Sequence, residues 1–389
     1  MAQRRSPLAV IFVTVFIDLL GFGIVIPVLP LYAERFGASP LVIGLLLGSY
    51  SAMQCLCAPL LGKLSDRVGR RPVLLLSIIG TSIGFLLMGL ATTLWLLFIA
   101  RIIDGMTGGN ISTAQAYIAD VTPPEQRSRG MGLIGAAFGL GFIFGPAIGG
   151  VLSRVSLAAP FFFAAALAAG NAIALYFLLP ESLSLERRQH ARHGARIPLF
   201  SIAKGRLLTT VLATYFCTTV AFSLLTATYP LFTERRFGYD ATHNGYIFAG
   251  QGILSAIVQG GLLGWLIKLS GDKMLAIIGT VMLMLSLVAL PMSRSVTALL
   301  LMTAGIAVGH GLIAAPLNGL ASKEVNAELQ GRVLGLMQSA ASLARIAGPV
   351  LGGWLLNYDA MSLTTQFGRT PYWAGAGLLF VALLFAIAL

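Results

Sequence analysis

Four charged residues lie inside long apolar runs, where a charge can do chemistry that a loop charge cannot. They are Asp18, Arg101, Asp104 and Arg345. A charge at the centre of a membrane-spanning helix costs roughly 3 kcal/mol on insertion scales, so such residues are functional candidates by default. A carboxyl group that meets and leaves an arginine can lose and regain a proton. We therefore assign these four residues to proton coupling, with Asp18 or Asp104 as the carrier.

The pairing of these four charges has more than one solution. Arg101 and Asp104 are three residues apart and share a helix face, so they can satisfy each other. Arg345 then needs a counter-charge, and Asp18 is the candidate acid. Alternatively, Asp18 is a structural partner of Arg101 or Arg345, since buried charges are paired.

Other side chains within the apolar runs could orient a ligand. The substrate-binding candidates are Phe22, Gln54, Asn110, Phe222, Gln251 and His310. The amides could equally join neighbouring helices, at roughly 1 kcal/mol per hydrogen bond. His310 could also titrate near neutral pH, although a lone histidine in a glycine-rich helix is more often a hydrogen-bonded helix contact. The 3 cysteines give no disulfide framework or metal spacing, so we expect no cofactor and no metal.

The composition defines the surroundings of these residues. Of 389 residues, 57% are hydrophobic and 10% are charged, against about 25% charged in soluble domains. A water-soluble fold is excluded, and the runs are too long and too continuously apolar for barrel strands. We predict an all-α membrane protein with twelve transmembrane helices in two six-helix pseudo-repeats. The predicted spans are 8–32, 41–62, 73–92, 95–118, 130–153, 158–179, 207–231, 243–267, 273–292, 296–318, 332–356 and 371–389.

The positive charges are distributed unevenly along the chain. Eighteen of the 26 Lys and Arg residues fall in the N-terminal tail and the even-numbered connections. The positive-inside rule then places both termini in the cytoplasm. This also explains the net charge of +12 without a nucleic-acid partner. We expect an N-terminal bundle at 1–182, a cytoplasmic linker at 183–206 and a C-terminal bundle at 207–389.

The two halves of the sequence resemble each other. Three short segments recur at offsets of about 200 residues, and the pairs are Pro30–Gly37 with Pro230–Gly238, Leu61–Leu64 with Leu263–Leu266, and Gly145–Gly150 with Gly348–Gly353. Such a parallel repeat predicts a substrate site near the bilayer midplane, between halves that rock.

The connection after span 2 carries a compact motif, Gly62–Pro72, in which a glycine permits a tight turn between charged residues. It is either a positive-inside anchor or a conformational latch, in which Arg70 pairs with Asp120 at the end of span 4. We expect the latch, formed by Asp66, Arg67, Arg70 and Asp120.

Span 5 combines small residues at four-residue spacing with a proline. Small residues let helices approach closely, and the proline adds a kink. The predicted helix-packing motif is Gly139, Gly145, Pro146 and Gly149.

These motifs resemble those of the major facilitator superfamily, and span 5 is similar to its drug/proton antiporter branch. Further segments resemble the tetracycline efflux antiporters, namely Ile26–Pro30, Met53–Pro59, Leu64–Arg67, Gly69–Leu75, Ala116–Asp120 and Leu179–Ser182. Those antiporters resemble one another in having an acid within span 9, whereas Met274–Ser286 contains none. The resemblance also implies that spans 1 and 4 line one cavity, which leaves Asp18 and Asp104 as carriers.

The resemblance implies a proton-coupled antiporter that exports amphipathic drugs, tetracycline-like or multidrug, by alternating access. Its partners would be a small amphipathic substrate, protons and the lipid bilayer, and we expect a monomer in a bacterial inner membrane. The alternative is an importer or uniporter of a sugar or other metabolite without proton coupling. We do not expect an enzyme, because no nucleophile–base set, metal cluster or phosphate loop appears.

Overall fold

The computed structural model describes residues 7–123, 126–183, 206–323, 327–362 and 366–389. Across these ranges the regular structure is helical, without strands, as the sequence predicts. The α-helices are α1 (Pro7–Glu34), α2 (Pro40–Val68), α3 (Arg70–Gly89), α4 (Leu94–Thr107), α5 (Asn110–Val121), α6 (Arg127–Leu152), α7 (Ala159–Leu178), α8 (Arg206–Phe237), α9 (Ala241–Ile257), α10 (Leu263–Ala289), α11 (Val296–Gly311), α12 (Ala314–Lys323), α13 (Ala327–Met361) and α14 (Arg369–Ala388). The interior of the predicted linker 183–206 lies outside the described residues.

Local sequence signals explain several helix boundaries. The side chains of Thr93 and Ser295 accept backbone N–H bonds from the first turns of α4 and α11, which satisfies donors that a helix start leaves unpaired. Between α2 and α3, Gly69 has a φ of 115°, a conformation that favours glycine. The helix break is therefore sharp, and the charged residues on both sides stay close together.

Two of the predicted spans are interrupted rather than continuous. In predicted span 4, α4 ends at Thr107 and α5 begins at Asn110. The intervening Gly108 and Gly109 depart from helical geometry, with ψ angles of 33° and 8°. Predicted span 10 is likewise divided into α11 and α12. Each break frees backbone groups inside an apolar segment, where side chains must satisfy them.

Ten helical stretches in the described part of the chain are long and apolar enough to cross a membrane. One of them, Ala241–Met292, has 52 residues, enough for two crossings at about 20 residues each. It contains the π-helical turn Val258–Leu262 and a non-helical Gly271. Predicted span 332–356 falls within α13, which is not among the ten. The count of twelve crossings therefore stays a prediction.

The helices pack in the same order twice. Helix α1 packs on α6 and α7, and α3 packs on α4 and α7; further along, α8 packs on α13 and α14, and α10 packs on α11 and α14. This repeated order agrees with the internal repeat read from the sequence.

The contacts divide the chain into two compact units. The first comprises residues 1–36, 49–196 and 241–249, and the second comprises residues 37–48, 197–240 and 250–389. The units follow the predicted division at 182 and 207 except for the short segments 37–48 and 241–249. The three-part division of the chain stays a prediction.

Large apolar side chains remain exposed along most helices. Examples are Leu60, Trp95, Phe177, Leu301 and Phe380, all more than half exposed. Helices that expose such residues are suited to lipid rather than to water.

Candidate functional site: a buried charged network

Helix α4 holds an ion pair in the interior of the first unit. Arg101 and Asp104 are 2% and 4% exposed, and Nη1 of the arginine lies 3.0 Å from Oδ2 of the aspartate. The pair spans three residues, so both side chains leave the same helix face. The guanidinium carbon also lies 4.1 Å from the ring centroid of Tyr50 on α2. The predicted intrahelical pair is therefore present, and an aromatic ring that the sequence did not reveal adds a cation–π contact.

Asp18 on α1 is held by a different group from those considered in the sequence. Its Oδ1 accepts a hydrogen bond of 2.7 Å from the amide Nδ2 of Asn110. Asn110 is the first residue of α5, so the break after α4 turns its side chain toward α1. The helix contact considered for this amide is therefore present, and its substrate-binding role stays a prediction. The pairing of Asp18 with Arg345 stays a prediction.

The backbone freed by the same break is satisfied from α2. The amide of Gln54 donates to the carbonyl oxygen of Gly108 at 2.8 Å and to the hydroxyl of Tyr50 at 3.2 Å. Gln54 therefore stabilises the interruption in predicted span 4 and connects it to the ring beneath Arg101.

A small cavity lies beside Asp18. Its lining consists of Ile17, Asp18, Ile78, Thr81, Phe85, Ala164, Ala168 and Asn171. Asn171 on α7 accepts a hydrogen bond from Thr14 at 3.2 Å. The hydroxyl of Thr81 is buried and makes no hydrogen bond of normal geometry, although it lies beside the carboxyl group of Asp104. Neither Thr81 nor Asn171 was predicted as a site residue, because nothing in their local sequence distinguishes them from packing residues.

The remaining substrate candidates lie in two aromatic clusters and one amide. Phe22 contacts the ring of Tyr50, with centroids 5.9 Å apart. In the second unit, Phe222 and His310 stack nearly parallel, with centroids 3.7 Å apart and an interplanar angle of 16°. Gln251 on α9 has a buried side-chain nitrogen without a hydrogen-bond partner. Aromatic faces and an amide are groups that can contact an apolar ligand, and the substrate-binding role of these residues stays a prediction.

Arg345, on α13, makes a local contact. Its Nη2 donates to the hydroxyl of Ser342 on the same helix at 3.1 Å. The side chain is half-buried. Its predicted part in proton coupling is untested by this geometry.

The predicted latch residues meet at the junction of α2, α3 and α5. Arg70 donates to Asp120 at 3.1 Å through Nε, and through Nη1 it contacts Asp66 and Ser65. The contact with Asp120 agrees with the sequence prediction. Arg67 is exposed in the last turn of α2, on the rim of this cluster.

Glu181 and Ser182, which were not predicted as latch residues, complete the cluster. The carboxylate of Glu181 accepts hydrogen bonds from the backbone N–H groups of Arg70 and Arg71, so it caps the start of α3. Its negative charge also interacts favourably with the positive end of the α3 dipole. Ser182 donates to Asp120 at 3.1 Å. The segment after α7 therefore closes the network over the α3 terminus.

A related ion pair occurs in the second unit. Asp272, which follows the positive-φ Gly271, pairs with Lys323 at the end of α12. Gly271 and Asp272 lie 202 residues after Gly69 and Arg70, close to the offset of the internal repeat. That offset could have identified the second pair, but an acid stands where the first unit has a base, so the correspondence is hard to recognise.

The span 5 motif packs on α1, with one exception. A Cβ atom at Gly145 would lie 2.6 Å from the carbonyl oxygen of Leu20, and one at Gly149 would lie 3.1 Å from that of Ile24. Pro146 lies within α6, between these two close approaches. A Cβ at Gly139 would meet nothing within 4 Å, so no close helix approach is seen there and its place in the motif stays a prediction. Gly141 does make such a close approach to α1.

Within the described ranges, no group of three or more His, Cys, Asp and Glu side chains is arranged to hold a metal ion. The cluster around Asp18 and Asp104 offers carboxyl, amide, hydroxyl and guanidinium groups.

The sequence matches the Major Facilitator Superfamily over residues 11–349 and 237–389. It is similar to the tetracycline resistance protein, class C, of Escherichia coli, with 38% identity over 355 residues that cover 90% of this chain and 89% of the relative. It is also similar to multidrug resistance protein 2 of Bacillus subtilis (strain 168), with 30% identity over 363 residues, 92% of this chain and 90% of the relative.

The fold has solved counterparts. The structure of a bacterial homologue of the human lysosomal transporter Spinster, in an inward-facing and occupied conformation, matches with a TM-score of 0.83. It covers 98% of this chain and 95% of that chain at 16% identity. At that identity the likeness concerns the fold alone.

Proposed function

Since the chain belongs to the major facilitator superfamily, we propose that it is a proton-coupled antiporter that exports amphipathic drugs across a cell membrane. Its relatives are transporters and not enzymes, and the names of two of them refer to tetracycline and multidrug resistance. Drug efflux is the function that these relatives support. Coupling to protons, alternating access and the bacterial inner membrane are part of our proposal.

One observation carries the proposal of proton coupling. Asp18 and Asp104 lie inside the apolar helices α1 and α4; Asp104 pairs with Arg101, whereas Asp18 accepts a hydrogen bond from the neutral amide of Asn110. Two carboxylates and one guanidinium leave one negative charge too many for a low-dielectric interior. One bound proton removes that excess. The network therefore favours the uptake and release of a single proton.

The drug site is proposed to use aromatic and amide groups. Phe22, Phe222, Gln251 and His310 offer flat apolar faces and hydrogen-bonding groups without a formal charge. Such pockets are mostly apolar with a few placed polar groups. We propose that they contact the substrate, whereas Asn110 and Gln54 support the helices around Asp18 and Asp104.

The test is flux in proteoliposomes under an imposed pH gradient. Tetracycline and a lipophilic cationic dye serve as substrates, and a trapped pH indicator reports proton movement. We expect drug export against its gradient only when a proton gradient drives it. Drug flux that runs down its own gradient and ignores pH would instead support the uncoupled importer or uniporter.

Asp18→Asn separates coupling from transport. The neutral amide resembles the protonated carboxyl group, so we expect loss of uphill export while downhill drug exchange continues. Asp359→Asn is the control for loss of an aspartate inside the protein, because Asp359 is buried and accepts a hydrogen bond from Thr370 at the start of α14, away from Asp18 and Asp104 in the chain. Retained proton movement in the Asp18→Asn protein would exclude Asp18 as the carrier.

A further inference from the structure

The cavity beside Asp18 lies between three helices of the first unit. Ile17 and Asp18 come from α1, Ile78 and Thr81 from α3, and Asn171 from α7. Three of its lining side chains are polar, and the remainder are aliphatic or aromatic. Its volume is about 10 Å³.

The small volume of the cavity and its three polar side chains determine which molecule can occupy it. A water molecule needs a cavity of about 10–15 Å³ and two to four polar partners. A carboxylate, a hydroxyl and an amide supply three. A Ca²⁺ or Mg²⁺ ion would need about six or more oxygen ligands, and a drug-sized molecule needs about 300 Å³ or more. Of these occupants, only water fits.

Thr81 connects this cavity with the ion pair on α4. Its side chain lines the cavity, lies beside the carboxyl group of Asp104 and has no hydrogen-bond partner of normal geometry. Close packing of α3 on α4 holds it there, since a Cβ at Gly84 would come within 2.8 Å of the Asp104 Cβ. If Thr81 gives its one hydrogen to Asp104, its buried oxygen still lacks a donor; an unsatisfied buried group is costly, and a water in the cavity would supply that donor.

We propose that the cavity holds one water molecule, and that this water and the Thr81 hydroxyl link Asp18 to Asp104 so that the two acids share one proton. The inference rests on the proposed function, because it names the route within the proton site. Protonated Asp18 donates to the water, the water donates to the Thr81 oxygen, and Thr81 donates its own hydrogen to Asp104. One O–H bond is broken and one is formed at each step, and one proton leaves Asp18 for each that reaches Asp104.

The charged groups beside this route come from two helices. Helix α4 contributes Arg101 and Asp104, α1 contributes Asp18, and α2 adds the phenol ring of Tyr50 against the Arg101 guanidinium. Helices α3, α5 and α7 add the neutral side chains of Thr81, Asn110 and Asn171, and the close approaches of α6 to α1 are made by glycines. With one shared proton the three charged groups sum to zero. Thr81 is thus a positioning residue, because it acts through the two acids.

Infrared spectroscopy of the purified, drug-free protein tests the link directly. The carbonyl stretch of a protonated carboxyl group reports its hydrogen bonding, and Asp18→Asn and Asp104→Asn assign the bands. We expect each of these substitutions to shift or remove the band of the other acid. In Thr81→Val, which removes the hydroxyl at nearly constant volume, the band of each acid should become independent of the other.

Two variants control this measurement. Thr81→Ser restores the hydroxyl and should restore the wild-type bands. Ser77→Ala removes another buried hydroxyl without a partner, one turn away on the same helix and outside the cavity lining, and should leave the bands unchanged. Identical bands in Thr81→Val and wild type, or equal shifts in Thr81→Val and Ser77→Ala, would overturn the proposal.

The rate of proton release on tetracycline addition gives a second measurement. We expect Thr81→Val to slow it by about a hundredfold, the lower end of what a positioned proton-transfer group contributes, with drug affinity retained. If transport is proton-coupled but the bands of the two acids are independent in the wild type, the shared proton is refuted alone. If the bands are coupled but wild-type transport ignores pH, the proposed function fails and the shared proton stands.

Discussion

The two units repeat the same helix packing but differ in where they hold charge. In the first unit, α4 buries Arg101 and Asp104, whereas α11, which takes the corresponding place in the second unit, contains no Asp, Glu, Lys or Arg. It carries His310, stacked on Phe222. We propose a division of labour in which the two carrier acids belong to the first unit and most of the apolar ligand contacts, Phe22 excepted, belong to the second.

The two units also differ in the ion pairs at the helix ends that the positive-inside rule places in the cytoplasm. Arg70 and Asp120 have side chains 11% and 14% exposed and share a network with Asp66. In the second unit, Asp272 has a side chain 8% exposed, while that of Lys323 is 70% exposed. The polarity is inverted, and one partner of the second pair lies in solvent. The same backbone turn therefore supports a strong pair in one unit and a weak pair in the other.

Substitution within the buried pair should give the largest difference between the units. We expect Asp104→Asn to lower uphill export by about a hundredfold, since it leaves Arg101 without its carboxylate and removes one of the two acids. His310→Gln, in the second unit, should change the KM for drug while the ratio of protons to drug stays constant. Proteoliposome flux and proton counting measure both. An altered ratio in His310→Gln would break the proposed division.

The sequence alone predicts the ion pairs of the first unit but not the residues that surround Asp18. The pair of Arg101 and Asp104 follows from helical spacing, and the contact of Arg70 with Asp120 follows from the loop motif. By contrast, Thr81 and Asn171 meet Asp18 only through the packing of α3 and α7 on α1. Their positions depend on helix rotation about the bundle axis, which apolar runs do not encode.

Breaks within spans were equally hidden in the apolar pattern. Gly108 and Gly109 look like ordinary small residues of a membrane helix, yet they end α4 and bring Asn110 to Asp18. The run reads as one continuous span in the sequence because hydropathy is insensitive to backbone geometry. For the same reason the sequence groups Gly139 with Gly145, although only the second makes a close approach to α1.

The cytoplasmic pair of the first unit should show an intermediate effect. Arg70→Ala removes contacts to Asp66, Asp120 and Ser65, which leaves a half-buried carboxylate without its cation. We expect a loss of about 2 kcal/mol in stability, less than the 3–5 for a fully buried pair, and transport slowed by about tenfold. Thermal unfolding in detergent and flux in proteoliposomes measure the two effects. Wild-type transport in this variant and in Asp66→Asn would refute the latch.

The pair of the second unit should give the smallest effect. Because the Lys323 side chain is 70% exposed, water can replace most of its interaction with Asp272, and exposed pairs contribute roughly 0.2–1 kcal/mol. Lys323→Ala should therefore lower stability by no more than about 0.5 kcal/mol and leave transport near wild type.

Asp272→Ala should lower stability more than Lys323→Ala does, because the carboxylate of Asp272 is buried. This carboxylate lies at the start of the helical segment after Gly271 and interacts with the helix dipole. Thermal unfolding at low and high salt measures both, because salt screens exposed charges. A loss in Lys323→Ala as large as that in Arg70→Ala would show that the two ion pairs are equivalent despite their difference in burial.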